Sequence, residues 1–452
     1  MARILIKNGT LVDTEWKMRS DILINGSKIE RVAPSIEVRD DMEVVDASGM
    51  YVLPGIIDAH THYHLVSRGT VTADSFVEGS RLAAFGGVTT VVDFADDNKV
   101  SLKSSLESRK KEMKDMAIDY ALHQGVYKYR DDIGTELSDV RNDGVKALKI
   151  FTTYKDVGYL VDDREELKSI FKDARDRNMM ICVHAEDDKT IADIASSWKG
   201  DFRPSAHADL RPAEAEARAI LYVGHIAAEL DMPVYIVHLS SAAGLEAVRE
   251  LRREGVEVIV ETTPTYLFLE RSLLDRPDGS SFVMTPPLRT FADNKALQEA
   301  LFNGEIQVVA TDHCSFTYEQ KLESSDCRTV YPGIPGTEEL LPLLHTLSVE
   351  SGKFSMEQLV NLISTGPARQ FGIYPEKGSL KENTDADIVI FDPEEEWVLS
   401  KKTIHSASGY TAYEGKKVIG KAVRTYLRGN LIMKDGEYFG KPGEGKFIEE
   451  KC

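Results

Sequence analysis

The chain contains 452 residues, of which 42% are hydrophobic and 29% are charged. This composition is typical of a globular protein and excludes a disordered or fibrous chain. The formal net charge of −19 disfavours partners such as nucleic acid or an anionic membrane. No apolar run reaches the about 18 residues of a membrane-spanning helix, and the apolar start is too short for a signal peptide. With only four cysteines and no CxxC motif, we expect a cytoplasmic protein with reduced thiols.

Short strands with tight turns are predicted at both ends of the chain. Near the start, Asn25-Gly26 separates two apolar runs, which is the pattern of a β-hairpin because both residues tolerate a positive φ. A strand pattern returns near the other end, for example at 386–392. We therefore predict a small β-sandwich domain formed from residues 1–52 and 375–440, followed by a C-terminal tail over 441–452.

Residues 53–374 alternate apolar β runs with stretches that are apolar at helical spacing. Strands that alternate with helices over this length indicate an α/β fold with a parallel sheet, and a closed (β/α)8 barrel of the TIM type suits the length. A doubly wound open sheet is the second possibility. No GxGxxG motif follows the first strand and no Walker A motif is present, which disfavours a nucleotide cofactor.

Residues that bind metals or transfer protons follow most of the predicted barrel strands. His60 and His62 point to the same side of an extended segment, so both imidazoles can bind one ion. Later apolar runs end in Lys149, His184, His238 and Asp312. Each of these residues alone is more often packed or solvated than functional. Because barrel active sites lie at the C-terminal ends of the strands, their shared position predicts a metal site.

The lysine in this set poses an electrostatic problem, because an ammonium repels metal ions. A desolvated Lys149 loses its proton readily, and the neutral amine can add carbon dioxide to form an anionic carbamate. This carboxylated lysine can bridge two divalent ions, and a water between ions about 3.5–4 Å apart ionises near neutral pH. Imidazole and carboxylate ligands favour Zn²⁺, although Mn²⁺ or Co²⁺ also fit. We therefore predict two divalent ions, with zinc preferred by the ligand chemistry, and N6-carboxylation of Lys149.

Further motifs occur along nearly the whole chain. They lie at 54–62, 69–72, 84–90, 149–156, 183–186, 261–267, 286–289, 311–316, 378–380 and 385–387. In these motifs and their order, the chain resembles the dihydropyrimidinase and D-hydantoinase group of the cyclic amidohydrolases. The resemblance implies a metal-dependent hydrolase that opens the cyclic amide C–N bond of dihydropyrimidines or 5-substituted hydantoins. In that group, a hydroxide that bridges the metals attacks the ring carbonyl.

The resemblance also implies a role for each candidate residue. Carboxylated Lys149 bridges the two ions, and Asp312 acts as general base and then as general acid. The implied ligands of one ion are His60, His62 and Asp312, and those of the other are His184 and His238. Tyr154 donates a hydrogen bond to the developing oxyanion. The substrate, a small cyclic ureide, binds through backbone groups of Thr285 and Pro332, and the chain forms a homotetramer or homodimer.

The chain departs from the pattern of this group at one substrate-binding position, and two alternative functions stay open. Pro332 stands where the group usually has asparagine, so its carbonyl is available but it has no N–H. A dihydroorotase- or allantoinase-like activity is the nearest alternative, although dihydroorotases typically read His-x-His-x-Arg and this chain has His64 at the last position. A non-catalytic scaffold of the same fold is a remote alternative, because all six metal-site residues are present.

Overall fold

The computed structural model describes residues 3–451, so the last residue of the predicted tail, Cys452, lies outside the described residues. The strands are β1 (Arg3–Lys7), β2 (Thr10–Val12), β3 (Lys17–Arg19), β4 (Asp21–Asn25), β5 (Lys28–Ala33), β6 (Met42–Asp46), β7 (Tyr51–Pro54), β8 (Ile56–Asp58), β9 (Val66–Ser67), β10 (Thr70–Val71), β11 (Val88–Ala95), β12 (Asp119–Gly125), β13 (Ala147–Phe151), β14 (Met180–His184), β15 (Val234–Ile236), β16 (Val258–Thr262), β17 (Val308–Val309), β18 (Ile388–Val398), β19 (Lys417–Leu427), β20 (Asn430–Lys434) and β21 (Glu437–Tyr438).

The helices are α1 (Phe76–Phe85), α2 (Leu102–Glu112), α3 (Ile133–Asn142), α4 (Arg164–Arg175), α5 (Asp188–Ser197), α6 (Ala206–Leu210), α7 (Ala213–Glu229), α8 (Ala242–Arg253), α9 (Pro264–Phe268), α10 (Phe291–Phe302), α11 (Tyr318–Leu322), α12 (Leu340–Ser351), α13 (Met356–Val360) and α14 (Gly366–Gln370). Between residues 3 and 451, no helix has the length and hydropathy needed to cross a membrane.

The helix α4 illustrates how the sequence forms these elements. Its N-cap residue, Asp163, accepts hydrogen bonds from the backbone N–H groups of Glu165 and Glu166, which satisfies two donors that the helix leaves free. Basic residues occupy its last turn, where they stabilise the helix dipole. Its apolar face packs on the barrel through Leu167, Ile170, Phe171 and Ala174.

Eight parallel strands form the central sheet in the order β17-β16-β15-β14-β13-β12-β11-β8. The two edge strands meet, because Thr61 forms a parallel bridge with His313 and the His62 N–H donates to the His313 carbonyl at 2.8 Å. The Thr311 N–H donates to Asp58 Oδ1 at 2.9 Å across the same seam. The predicted (β/α)8 barrel is therefore confirmed, and the open doubly wound sheet is excluded.

The two chain ends build a pair of sheets beside the barrel. One has four strands in the order β5-β4-β1-β6, and the other has seven in the order β21-β20-β19-β18-β7-β2-β3. Their facing sides share an apolar core that includes Ile6, Ile22, Val52, Ile388 and Tyr426. This arrangement confirms the predicted β-sandwich from both ends of the chain, while the domain boundaries after residues 52, 374 and 440 stay a prediction.

The described part of the tail, 441–451, lies along the N-terminal end of the barrel. The Tyr120 N–H donates to the Lys446 carbonyl at 2.9 Å, and the Ile448 N–H donates to the Tyr120 carbonyl at 2.8 Å. Further on, the Glu450 N–H donates to the Gly144 carbonyl at 2.8 Å. The tail therefore covers the end of the barrel opposite to the predicted active site.

Candidate metal centre and active site

The residues predicted to bind metal all line one cavity at the C-terminal end of the barrel. They are His60, His62, Lys149, His184, His238 and Asp312. His184 ends β14 and Lys149 lies in β13, whereas the other residues lie two to four residues after the ends of β8, β15 and β17. The barrel therefore brings together residues that lie far apart in the sequence, as the pattern of strand ends predicted.

The first group of donor atoms consists of two imidazoles and a carboxylate. Nε2 of His60 and Nε2 of His62 each lie 3.2 Å from Asp312 Oδ1. One donor atom from each of the three residues lies within 4.8 Å of the others. Imidazole nitrogen and carboxylate oxygen are common ligands of divalent transition metals, so this group fits a metal ion by chemistry and by spacing.

The second group adjoins the first. The ring centroids of His184 and His238 are 4.6 Å apart, and those of His60 and His238 are 5.5 Å apart. Burial, together with the charges of neighbouring groups, lowers the pKa of His60 and of His238 well below the ordinary value. These imidazoles are therefore neutral at physiological pH, which is the form that binds metals.

Lys149 lies buried between the two groups. Its Nζ is 5.1 Å from the ring centroids of Phe94 and Phe151. Burial lowers the pKa of Lys149 to about 8, so the neutral amine is far more accessible near neutral pH than in an ordinary lysine. This environment satisfies the condition that carbon dioxide needs for addition to the amine.

Two buried glutamates orient the histidines. Glu261 Oε1 lies 2.7 Å from the ring atom Nδ1 of His60. The same oxygen accepts a hydrogen bond from the backbone N–H of His238 at 3.1 Å. Glu186 Oε2 lies 2.7 Å from His184 Nε2 and also pairs with Arg211 at 2.8 Å. Each carboxylate holds one ring nitrogen and leaves the other nitrogen of that ring for the cavity.

Sequence reasoning did not single out these glutamates as site residues. Glu261 lies at the C-terminal end of the apolar strand β16, in the same kind of position as the predicted ligands. This position at a strand end could have identified Glu261 as a site residue from the sequence. Nothing local marks Glu186 as the partner of Arg211, because the two meet only in the folded barrel.

Tyr154 lies at the wall of the cavity with its ring centroid 5.2 Å from that of His184. The Arg211 guanidinium lies over the Tyr154 ring at 5.3 Å. Burial raises the pKa of Tyr154 to about 12, and the Arg211 charge offsets only part of this effect. The hydroxyl therefore keeps its proton at neutral pH and can donate a hydrogen bond into the cavity.

Three residues of the site have a left-handed backbone conformation. Tyr154, His238 and Asp312 have φ values of 69°, 41° and 52°, in the left-handed region that side chains other than glycine rarely adopt. Each such residue costs about 1–3 kcal/mol and persists where the surrounding structure enforces it. This strain is typical of residues that a fold holds in place for function.

Thr285 and Pro332 line the cavity from the loops that follow β16 and β17. A fully buried lysine, Lys321 in α11, ties these two loops together. Its ammonium donates to the carbonyls of Val283, Tyr331 and Gly333 at 2.6, 2.7 and 2.9 Å. These contacts flank the two residues, so Lys321 fixes the backbone on both sides of the predicted substrate site. Sequence reasoning missed this lysine.

Comparison with known proteins agrees with the architecture and the site. The sequence model of the amidohydrolase family matches residues 51–432. A D-hydantoinase from Geobacillus stearothermophilus is 36% identical over 98% of this chain and 96% of its own length. A D-phenylhydantoinase from Escherichia coli is 35% identical over 99% of this chain and 98% of its own.

Solved structures are similar over the same length. A dihydropyrimidinase from Brevibacillus agri superimposes with a TM-score of 0.95 at 35% identity, covering 99% of this chain and 98% of that chain. The resemblance predicted from the motifs is thereby confirmed. On the family match, the full-length identity and the shared barrel, the chain belongs to the amidohydrolase family.

Proposed function

We propose that this protein is a metal-dependent hydrolase that opens the ring of cyclic ureides, either dihydropyrimidines or 5-substituted hydantoins. The observation that carries the proposal is the convergence of four histidines, a lysine and an aspartate on one cavity at the mouth of the barrel. Full-length similarity to a D-hydantoinase and a D-phenylhydantoinase supports the same reaction class. The dihydroorotase- or allantoinase-like alternative and the non-catalytic scaffold are not favoured.

The metal ligands we propose are those that the donor groups support. His60, His62 and Asp312 would hold one divalent ion, and His184 and His238 would hold the other. A carboxylated Lys149 would lie between them, and Zn²⁺ suits the donor set best. When bound, such ions supply Lewis acidity, which polarises an amide carbonyl and makes water more acidic.

Asp312 is the group we assign to proton transfer. Hydrolysis adds hydroxyl to the ring carbonyl carbon and a proton to the ring nitrogen, and the C–N bond between them breaks. The Asp312 carboxylate lies at the ligand cluster and also faces the cavity. It can therefore accept the proton of the attacking water on a carboxylate oxygen and deliver that proton to the leaving nitrogen.

Tyr154, Thr285 and Pro332 are the groups we assign to the substrate. The protonated Tyr154 hydroxyl donates a hydrogen bond to the oxygen that becomes negative as the carbonyl is attacked. The Pro332 carbonyl accepts from a ring N–H, and the Thr285 backbone binds the other polar edge of the ring. All three residues line the cavity that contains the proposed ligands, which supports this assignment.

We further propose a cytoplasmic homotetramer or homodimer that acts on a small-molecule substrate. Its three described cysteines, Cys182, Cys314 and Cys327, are free and buried, which supports a reducing compartment. Size-exclusion chromatography with light scattering tests the assembly directly.

The activity is tested by the initial rate of ring opening on 5,6-dihydrouracil, with zinc-loaded protein in bicarbonate buffer. Dihydroorotate is the control substrate, and Asp312→Asn is the control variant. We expect opening of dihydrouracil, none of dihydroorotate, and a loss of activity in the variant. Absence of ring opening with dihydrouracil and with hydantoin, while two metals are bound per chain, would contradict the substrate assignment.

A further inference from the structure

A carboxylate with no part in the proposed mechanism lies in the same cavity. Asp96 directly follows β11, the second strand of the barrel, and lines the cavity together with His62 and Lys149. It does not belong to the cluster in which the donor atoms of His60, His62 and Asp312 lie within 4.8 Å of one another. Asp96 therefore lies in the cavity but outside the first group of donor atoms.

The contacts of Asp96 leave half of its carboxylate free. Oδ1 accepts a hydrogen bond from the Tyr127 hydroxyl. Within residues 3–451, we find no ion pair to Asp96 and no protein donor on Oδ2. Because Asp96 is half-buried and this oxygen has no protein donor, it is available as an acceptor for a group that enters the cavity.

The wall around Asp96 is aromatic and ordered by stacking. The rings of Tyr127 and Tyr159 stack with their centroids 4.1 Å apart. The ring centroids of Tyr159 and Phe151 are 5.3 Å apart. Tyr159 and Phe151 both line the cavity. The result is a flat apolar wall with a single acceptor beside it, which suits a short substituent with a polar end.

Asp96 lies on a different loop of the closed barrel from the groups assigned to the substrate ring. Thr285 and Pro332 lie in the loops after the seventh and eighth barrel strands, β16 and β17, whereas Asp96 follows the second. The cavity wall outside those two loops is left for the exocyclic substituent of a ring held at Thr285 and Pro332. Asp96 is on that remaining wall.

We propose that Asp96 forms a subsite for the exocyclic substituent of the substrate and accepts a hydrogen bond from a neutral amide N–H of that substituent. This inference rests on the proposed function, since it names the class of cyclic ureide on which the site acts. A neutral donor is favoured over an ammonium because the two divalent ions proposed for the same cavity repel cations. Substrates with a carboxamide-bearing side chain are the expected class.

The test compares two hydantoins that differ in one group. The 5-carbamoylmethyl and 5-(2-oxopropyl) derivatives share the carbonyl and the shape, and the terminal NH₂ of the first is a methyl group in the second. We expect wild-type protein to prefer the carbamoylmethyl compound by about 10- to 100-fold in kcat/KM. Asp96→Leu should reduce this ratio to about one, while its metal content per chain equals that of the wild type.

Two further variants serve as controls for the effect of Asp96→Leu. Asp96→Ala repeats the experiment with a smaller side chain, in case leucine distorts the wall. Asp162→Leu changes an exposed aspartate at the same end of the barrel and should keep the wild-type ratio. A wild-type ratio near one, a ratio that survives in both Asp96 variants, or loss of bound metal in both would overturn the subsite.

Binding measurements separate this inference from the proposed function. Titration calorimetry with the same two hydantoins reports the preference even if neither ring opens. Tighter binding of the carbamoylmethyl compound to wild type, lost in the Asp96 variants and without turnover of any hydantoin or dihydrouracil, would support the subsite and contradict the proposed reaction. Equal binding of the two compounds would contradict the subsite, whatever the turnover.

Discussion

The two ends of the barrel each bury a lysine among ionisable groups, and they differ in what surrounds it. At the C-terminal end, Lys149 lies among imidazoles and aromatic rings. At the N-terminal end, the Lys377 ammonium lies 2.5 Å from Asp119, 2.9 Å from Asp385 and 2.7 Å from Asp387. Asp119 begins a barrel strand and Asp387 precedes a sandwich strand, so Lys377 joins the two parts of the molecule.

These surroundings shift the two pKa values in opposite directions. Burial lowers the pKa of Lys149 to about 8. Burial also acts to lower the pKa of Lys377, but the charges of Asp387 and Asp119 outweigh it and raise the pKa above its ordinary value. One lysine is therefore poised to lose its proton and react, whereas the other is a permanent cation that holds the fold.

The same contrast explains why only one end suits a metal. Asp119, Asp385 and Asp387 bring carboxylate oxygens as close together as the donors of a metal site. The Lys377 ammonium already neutralises them, and Arg428 also pairs with Asp119. In a barrel of this type, residues at the C-terminal ends of the strands carry out the chemistry, and residues at the N-terminal ends stabilise the fold.

Replacement of Lys149 should have the largest effect of all. Lys149→Ala removes the proposed bridging group, so we expect loss of bound metal and a fall of at least about 10³-fold in rate. Small carboxylates such as acetate, which can occupy the gap, should restore part of both. Elemental analysis and initial rates measure the effect, with Lys146→Ala as a control near the start of the same strand. A Lys149→Ala protein with two metals and full activity would show that the bridging assignment is wrong.

Replacement of Lys377 should instead cost stability. Lys377→Met leaves three buried aspartates without their shared cation, and breaking such a buried group costs about 3–5 kcal/mol in the free energy of unfolding. Denaturant titration measures this loss. The matched control is Lys28→Met, because Lys28 also pairs with Asp385, at 2.7 Å, but is 44% exposed in its side chain. The control should cost less than about 1 kcal/mol.

The Lys377 variant also tests the contrast itself. Its folded fraction should bind as much metal per chain as the wild type, because the affected cluster is at the opposite end of the barrel from the cavity. Selective loss of metal without loss of stability would show that the two ends of the barrel are coupled. The assignment of chemistry to one end and stability to the other would then be wrong.

Removal of the Tyr154 hydroxyl should affect catalysis alone. Tyr154→Phe deletes the proposed oxyanion donor, so we expect kcat to fall by about 10²–10³-fold with bound metal unchanged. Steady-state kinetics on dihydrouracil measure this effect, and Tyr222→Phe, which deletes an exposed hydroxyl bonded to the Asp162 carbonyl, is the control. An unchanged kcat would remove Tyr154 from the mechanism.

Sequence reasoning could predict the barrel and the ligand positions because both depend on local patterns. Strand periodicity locates each strand end, and barrel topology then brings His60, Lys149 and Asp312 to one cavity. The rest depends on contacts that no local pattern encodes. Lys321 bonds to carbonyls of two distant loops, and nothing near Lys377 in the sequence indicates that Asp119 is its partner.

The tail offers a second case of this limit. The sequence analysis predicts only a tail over 441–452 outside the two domains, whereas in the structure the described part of the tail covers the N-terminal end of the barrel. The Glu450 side chain is 2% exposed there and accepts the Lys146 N–H. Burial raises the pKa of Glu450 to about 8, from an ordinary value of 4.5.

This shift predicts the smallest effect and the only one that depends on pH. Between about pH 4.5 and 8, the folded chain holds a proton on Glu450 that the unfolded chain has lost, so stability falls as the pH rises through this window. Glu450→Gln removes the proton linkage and keeps the shape. Relative to the wild type, it should gain on the order of 2 kcal/mol between pH 5 and 8, since the tail can detach before the barrel unfolds. Denaturant midpoints of both proteins at pH 5 and 8 measure the gain. Parallel pH profiles would mean that Glu450 is ionised in the folded chain, and the N-terminal end would then bury a second charge without the compensation that Lys377 receives.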